Sequence, residues 1–263
     1  MLAPFGEQIW VTPYGVALVL ALIFCWLYAR IRTAAIGFDP SHADFIVPVI
    51  FILSTAGARG LTFISPGDLE FAGGLHDTHV RFRLFGLLLF ALPLLFAYCR
   101  LASLPFRRIL DVFALPAVLW LIVLRVGCFM AGCCWGKVSE LPMAVSFPAG
   151  SLAWEQHVAL GMIGSDTARS LPVHPSQLYE LVLVAGLLAV LVRIGRVARH
   201  PGELALFTIS GYSALRFLLE FVRADSPVVF AGLTFTQFLC VAFLASAVFA
   251  LRRAGQQGGP DPA

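Results

Sequence analysis

Three arginines, Arg125, Arg216 and Arg223, fall inside or at the ends of long apolar runs, and a fourth, Arg59, stands among glycines in another. A guanidinium keeps its charge when partly desolvated and binds phosphate or carboxylate through paired hydrogen bonds. Lysine occurs once, as Lys137. Acidic partners inside the runs are few, chiefly Glu180 and Glu220. Surplus positive charge among apolar residues predicts an anionic ligand, and in a bilayer the anion nearest to hand is a phospholipid headgroup.

Two short motifs carry most of these groups. Tyr212, Arg216, Glu220 and Arg223 step by 4, 4 and 3 residues. On a helix they would share a stripe only about 80° wide. Phe217, Leu218, Leu219, Phe221 and Val222 make the other faces apolar. Such a stripe faces a water-filled or ligand-filled interior; alternatively, Arg216 and Glu220 satisfy each other at i, i+4 and fix helix packing. The second motif, HPSQLYE, runs from His174 to Glu180. Pro175 suits a first helical turn, and Gln177 and Glu180 share a face. It reads either as one wall of a site or as an interfacial His and Tyr with a snorkelling Glu.

A third stretch, Arg125 to Gly136, reads RVGCFMAGCCWG. Gly127, Gly132 and Gly136 punctuate the backbone as it leaves an apolar run, the profile of a polar site built into a bilayer protein. Its cysteines, Cys128, Cys133 and Cys134, follow C-x4-C-C. Zinc pairs come as C-x2–4-C with a second pair or histidines at matching spacing, and adjacent cysteines do not easily point at one ion. No metal is therefore expected. No C-x-x-C redox motif is present, although a disulfide within the turn is open to it on an oxidising face of a membrane. Cys25, Cys99 and Cys240 sit in apolar runs as small buried hydrophobes. In GGLHDTHVRFRLFG, His76 and His79 follow Gly73 and Gly74, either as solvated loop residues or as proton carriers.

The elements that must position these residues are membrane helices. The chain has 263 residues, 59% hydrophobic and 13% charged, with mean hydropathy +0.88; soluble domains carry about 25% charged residues. Apolar runs long enough to span lie near 13–30, 44–64, 82–99, 109–126, 177–195, 203–222 and 229–251. The expected fold is therefore an all-α integral membrane protein of about seven transmembrane helices, with an extracytoplasmic cap, 127–174, between spans 4 and 5. Residues 1–253 would form one transmembrane domain, and 254–263 a disordered tail. Ten of the 18 basic residues follow spans 1, 3, 5 and 7. The positive-inside rule then puts the N-terminus outside and the C-terminus in the cytoplasm. The N-terminus lacks a basic region, so no cleaved signal peptide is expected. A net charge of +3, spread singly and in pairs, does not suggest nucleic-acid binding. No transporter-like internal repeat is seen.

On these motifs the chain resembles the prolipoprotein diacylglyceryl transferase family. RVGCFMAGCCWG is similar to that family's signature G-R-x-G-N-F-x-N-G-E-x-x-G, VHPSQLYE to its R-HPSQLYE, and GYSALRFLLEFVRAD to its G-Y-x-x-x-R-x-x-x-E-x-x-R-x-x-D. Tyr14 and the GARG run at 57–60 are weaker echoes. The resemblance implies a multi-pass enzyme of the bacterial inner membrane. It would transfer a diacylglyceryl group from phosphatidylglycerol to the lipobox cysteine thiol of a prolipoprotein signal peptide, with glycerol phosphate leaving. It would need membrane lipids but no cofactor. Arg125 and Arg216 would hold the phosphate, oriented by Glu220 and Arg223. His174, Gln177, Tyr179 and Glu180 would form a second wall, with Tyr14, Arg59, Gly127 and Tyr212 also at the substrate. The family's Asn, Asn and Glu are Cys128, Ala131 and Cys133 here, and Val173 replaces an arginine. The family's G-G-x-x-x-H-G-G loop, which carries a general base, is longer here and lacks the second glycine pair. His79 or His76 would take that role, although alignment from Gly86 lands on Arg81. The alternative is a divergent membrane transferase or phospholipid-binding paralogue that acts on another acceptor.

Overall fold

The structure is a computed structural model, and it describes residues 13–64, 83–197, 200–224 and 228–256. Its elements in order are α1 (Pro13–Ala35), α2 (Ser41–Ile64), α3 (Arg83–Leu101), α4 (Phe106–Ala131), α5 (Leu152–Ala159), α6 (Ser176–Ile194), α7 (Glu203–Leu219), a 3-10 turn (Glu220–Val222), β1 (Val228–Phe230), β2 (Leu233–Thr234) and α8 (Phe235–Gln256). Seven of the described helices are long, and each lies over one of the expected apolar runs. Five of them, α1, α4, α6, α7 and α8, are long and apolar enough to cross a membrane; the described apolar stretches of α2 and α3 are the shorter Ser41–Gly57 and Phe90–Leu101. The protein is an all-α membrane protein, with one small hairpin among the described residues.

Two boundaries differ from the expected ones. The last long helix begins at Phe235, not near 229. Val228–Phe230 and Leu233–Thr234 pair instead as an antiparallel hairpin. Its two-residue turn is Ala231–Gly232, both at positive φ (50° and 76°), as a primed turn requires. The helix carrying Arg216 ends at Leu219 and tightens into a 3-10 turn, so Arg223 lies beyond it with extended backbone (φ −78°, ψ 144°). Arg223 therefore does not share an α-helical stripe with Tyr212, Arg216 and Glu220.

Helix α4 is the hub. It packs against α1, α3, α6 and α7. Its core face, Ala114, Leu115, Val118 and Leu121, meets Val184 and Leu191 of α6 and Leu204 and Ala205 of α7. Small side chains let α1 approach closely: Ala17, Ala21 and Ala29 are buried at helical spacing, while Val19, Ile23, Leu27 and Ile31 on its other side are exposed. An exposed aliphatic stripe of that kind suits lipid, not water. At one end of the bundle Asp111 of α4 accepts from the backbone N–H groups of Gly202 (2.6 Å) and Ala205 (2.8 Å), which satisfies the open first turn of α7. At the same end Asp44 of α2 accepts from Trp26 (2.7 Å) and Arg30 (2.6 Å) of α1.

Between α4 and α6 the chain folds over the other end. Trp135, Phe147, Ala153 and Val173 form a small core there, backed by Phe129 and Leu152. Backbone bridges Val138–Val173, Val145–Val173 and Pro148–Arg169 stitch it together, and Ser151 caps α5 by accepting from Trp154 N–H.

Candidate functional site

The site is built around the turn that ends α4. Gly132 takes the left-handed conformation (φ 64°), its N–H donating to Phe129 O and that of Cys133 to Cys128 O at 3.1 Å. This paired bonding is a Schellman motif, and glycine suits its left-handed position because it has no Cβ. Two residues on, Cys134 is left-handed as well (φ 60°), at a cost of about 1 kcal/mol for a residue with a side chain. The first turn of α6 holds that conformation in place. Ser176 Oγ donates to Cys134 O and Gln177 Nε2 to Cys133 O, both at 2.7 Å.

The chain then runs between two others. Gly136 N–H donates to His174 O (2.9 Å), His174 N–H to Lys137 O (3.0 Å), and Lys137 N–H to Val222 O (2.8 Å). The signature turn is thereby tied to the HPSQLYE motif and to the end of α7. A Cβ at Gly136 would stand 2.6 Å from both His174 Cβ and Val222 O, so only glycine fits this junction.

Charges from three elements meet below this junction. Arg125 Nη2 lies 2.9 Å from Glu180 Oε1, with Arg125 6% exposed and Glu180 fully buried. Tyr212 OH donates to the same oxygen at 3.1 Å. Arg223 Nη1 stands 3.9 Å from Glu180 Oε2. Arg216 pairs with Glu220 one turn on, and the other Glu220 oxygen accepts from Thr234 Oγ1 at 2.9 Å. Three buried guanidiniums thus face two buried carboxylates. The Nε–H of Arg125 is buried without an acceptor among the described residues. A buried donor of that kind calls for an acceptor.

Most of the expected site residues come together here: Arg125, Tyr212, Arg216, Glu220, Arg223, Gln177 and Glu180. Gln177 is turned to the Cys133 carbonyl. His174 and Tyr179 face each other, Nδ1 to OH at 3.2 Å. Tyr14 packs on the turn beside Cys128, Cys133 and Cys134. Gly127 is buried on α4. Arg59 lies on α2, but its side chain, like the whole of His76 and His79, lies outside the described residues.

Two residues of the assembly have no counterpart among the expected ones. Thr234 and Gln237 form a capping box at the start of α8. Thr234 N–H donates to Gln237 Oε1 (2.9 Å) and Gln237 N–H to Thr234 Oγ1 (3.3 Å). The pattern T-x-x-Q before an apolar run was the available signal. Through it the last helix fixes the hydroxyl that holds Glu220.

The cysteines correct an expectation about geometry. The sulfurs of Cys128, Cys133 and Cys134 lie within 4.8 Å of one another. They converge around a turn in which Gly132 and Cys134 are both left-handed. Arg125 Nη1 is 3.8 Å from Cys128 Sγ, so the same guanidinium borders both the carboxylate and the thiols. Hydrogen bonds from the neighbouring thiols, and after them Arg223 and Arg125, hold Cys134 well below the ordinary thiol range. The bond with Cys128 pushes Cys133 up.

Next to the charges lies an apolar cavity of about 280 Å³ between α1, α2, α3, α4, α7 and α8. Trp120, Leu121, Phe113 and Phe243 line it, and Tyr212 and Ser213 stand at its polar edge.

The family described as prolipoprotein diacylglyceryl transferase matches residues 4–253. Curated relatives carry the name phosphatidylglycerol–prolipoprotein diacylglyceryl transferase. The relative from Methylococcus capsulatus is 29% identical, the match covering 88% of this chain and 86% of that protein. The one from Nitratidesulfovibrio vulgaris is 30% identical, over 94% and 91%. The one from Brucella anthropi is 27% identical, over 94% and 89%.

Proposed function

This chain belongs to the prolipoprotein diacylglyceryl transferase family, and we propose from that membership that it moves a diacylglyceryl group from phosphatidylglycerol to the lipobox cysteine thiol of a prolipoprotein. The observation that carries the reading is the buried Nε–H of Arg125, which has no acceptor among the described residues. It stands in a buried cluster where the described residues supply three guanidiniums and two carboxylates. A phosphodiester supplies such an acceptor. The apolar cavity beside Tyr212 gives an acyl chain somewhere to lie.

In this reading the acceptor sulfur attacks the glyceryl carbon bonded to the phosphate oxygen. The C–S bond forms, the C–O bond breaks, and glycerol phosphate leaves with the electron pair. The thiol proton passes to a base, for which we propose His79. Charge grows on the departing phosphate, and Arg125 and Arg216 stabilise it there. Glu180 and Glu220 keep each guanidinium plane fixed, so little reorganisation is left to the reaction step. Tyr14, Arg59, Gly127, His174, Gln177, Tyr179, Tyr212 and Arg223 complete the substrate walls.

The arginines Arg30, Arg32, Arg100 and Arg193 lie toward the C-terminal ends of α1, α3 and α6, Arg196 just beyond α6, and Arg107 and Arg108 in the first turn of α4. We infer from them a cytoplasmic face at that end of the bundle, an inner-membrane location, and a site toward the extracytoplasmic leaflet.

The reading is tested in a transferase-depleted bacterium, scored by diacylglyceryl modification of a reporter prolipoprotein. The unaltered chain is expected to restore modification. Arg125→Ala and Arg216→Ala should insert normally yet lose activity by about 100-fold or more. A well-folded, abundant protein that leaves the reporter unmodified would sink the assignment.

A further inference from the structure

The three thiols at the end of α4 have no part in the transfer just described. They occupy or adjoin positions where the resembled signature has Asn and Glu, and they form the tightest cluster of metal-ligating side chains among the described residues. Cys128, Cys133 and Cys134 are all buried, at 3%, 7% and 9% exposure, and none is in a disulfide. Their sulfurs lie within 4.8 Å of one another. A tetrahedral zinc site with bonds of about 2.3 Å separates its sulfurs by about 3.8 Å, so closing the cluster onto an ion needs contraction of only about 1 Å.

The surroundings are organised as a ligand set requires. The left-handed Cys134 is strained, and strain of that kind persists where neighbours over-determine it. The Cys133 and Cys134 carbonyls are pinned by Gln177 and Ser176 at 2.7 Å, so the backbone bearing two of the ligands is fixed before any ion arrives. Three thiolates around a divalent cation leave one negative charge, and Arg125 Nη1, 3.8 Å from Cys128 Sγ, stands where that charge is neutralised.

We propose that Cys128, Cys133 and Cys134 form a three-thiolate site for a thiophilic divalent cation of the zinc class, with the fourth coordination position left to a thiol ligand. Three protein ligands and one open position distinguish catalytic from structural zinc sites. On the transfer reading, which this last element depends on, the fourth ligand is the acceptor cysteine. A coordinated thiol is deprotonated outright. Its proton passes to His79, the base proposed above, and its sulfur then attacks the glyceryl carbon as above. Binding the cation itself displaces the protons still carried by Cys128 and Cys133.

The test starts with protein purified in detergent without chelator and assayed for metal content. About one zinc per chain is expected, falling at least about tenfold in Cys128→Ser and Cys133→Ser and unchanged in Cys99→Ala. Cobalt substituted into the unaltered protein should show sulfur-to-metal charge-transfer absorption, which keeps the test decisive if a serine variant fails to fold. Three titratable thiols with neither zinc nor a cobalt signal, a disulfide within the cluster, or binding of copper(I) alone would each overturn the site. A lipobox peptide with cysteine should perturb the cobalt spectrum, and the same peptide with serine should not. Equal response to both would remove the fourth-ligand assignment while leaving the site. Failure of the reporter assay with zinc present would count against the transfer reading instead.

Discussion

The two carboxylates at the centre of the site do different work, and substitution separates them. Glu180 holds Arg125 and Tyr212 through one oxygen and stands nearest Arg223 with the other. Removing its charge leaves buried guanidiniums with less compensation, a loss of about 3–5 kcal/mol for a broken buried pair. Tyr212→Phe removes a single hydrogen bond, worth about 1 kcal/mol. Glu180→Gln is therefore expected to lower the thermal unfolding temperature in detergent much more than Tyr212→Phe; equal losses would show that Glu180 is not the anchor. The residue types and spacing already indicated the cluster. Arginine among apolar side chains needs a partner, and Glu180 and Glu220 were the acids at hand. The pairing itself was not legible: the helical stripe suggested only Arg216 with Glu220, whereas Arg125 finds Glu180 across two helices. His157 makes a separate prediction. Its Nδ1 accepts from Leu171 N–H at 3.2 Å, and burial pushes its pKa below the ordinary histidine value. The folded segment needs the neutral ring, while an opened segment takes up a proton near the ordinary pKa. Its contribution is thus complete above about pH 6.5 and is lost as pH falls through the lower folded pKa. Hydrogen-exchange protection of the Leu171 amide should drop on acidification, and His157→Gln should flatten that dependence.

At the scale of elements, the junction at Gly136 and the hairpin before α8 decide how the site is held. Gly136 sits where three backbones meet, and a Cβ there would press on the carbonyl of Val222, which cannot swing aside like a side chain. Gly136→Ala should part the turn from α6 and α7 and reduce reporter modification about tenfold or more, with α4 itself intact by circular dichroism. Normal turnover would mean that the three-way junction is not needed for chemistry. The hairpin tells the opposite story, since Ala231 occupies a left-handed position without glycine's freedom. Ala231→Gly should stabilise by about 0.5–1 kcal/mol in thermal unfolding. Seven apolar runs were readable because period and length are properties of the local chain. Both misplaced boundaries arise where that signal is ambiguous. Val228, Val229 and Phe230 are apolar enough to continue a helix, yet their β-branched and aromatic side chains suit a strand beside the Ala-Gly turn. Arg223 continues the helical count, but the helix has already tightened at Glu220. The convergence of Cys133 and Cys134 was not readable at all, because it arises in a turn with Gly132 and Cys134 both at positive φ, and no side-chain pattern encodes such a backbone at a cysteine.

For the whole molecule, the distribution of charge ties orientation to function. One end of the bundle carries Arg30, Arg100, Arg107, Arg108 and Arg193 together with the Asp111 and Asp44 caps. The other end carries the Gly132 turn, the 3-10 turn at Glu220 and the segment over them, with few basic residues. At the first end Asp111 accepts from the Gly202 and Ala205 N–H groups, whereas Arg125, Arg216 and Arg223 lie toward the second. We propose from the positive-inside rule that the first end is cytoplasmic; donor lipid and acceptor would then both be met in the outer leaflet. Reporters fused to the chain test this directly. Green fluorescent protein, which matures in the cytoplasm, should fluoresce at the C-terminus. Alkaline phosphatase, which needs oxidation outside, should be active when inserted at the exposed Gly164–Ser165–Asp166 turn and inactive at the C-terminus. The reversed pattern would put the site on the cytoplasmic side, where the arginine cluster would draw on inner-leaflet lipid and a signal peptide's cysteine outside could not reach it.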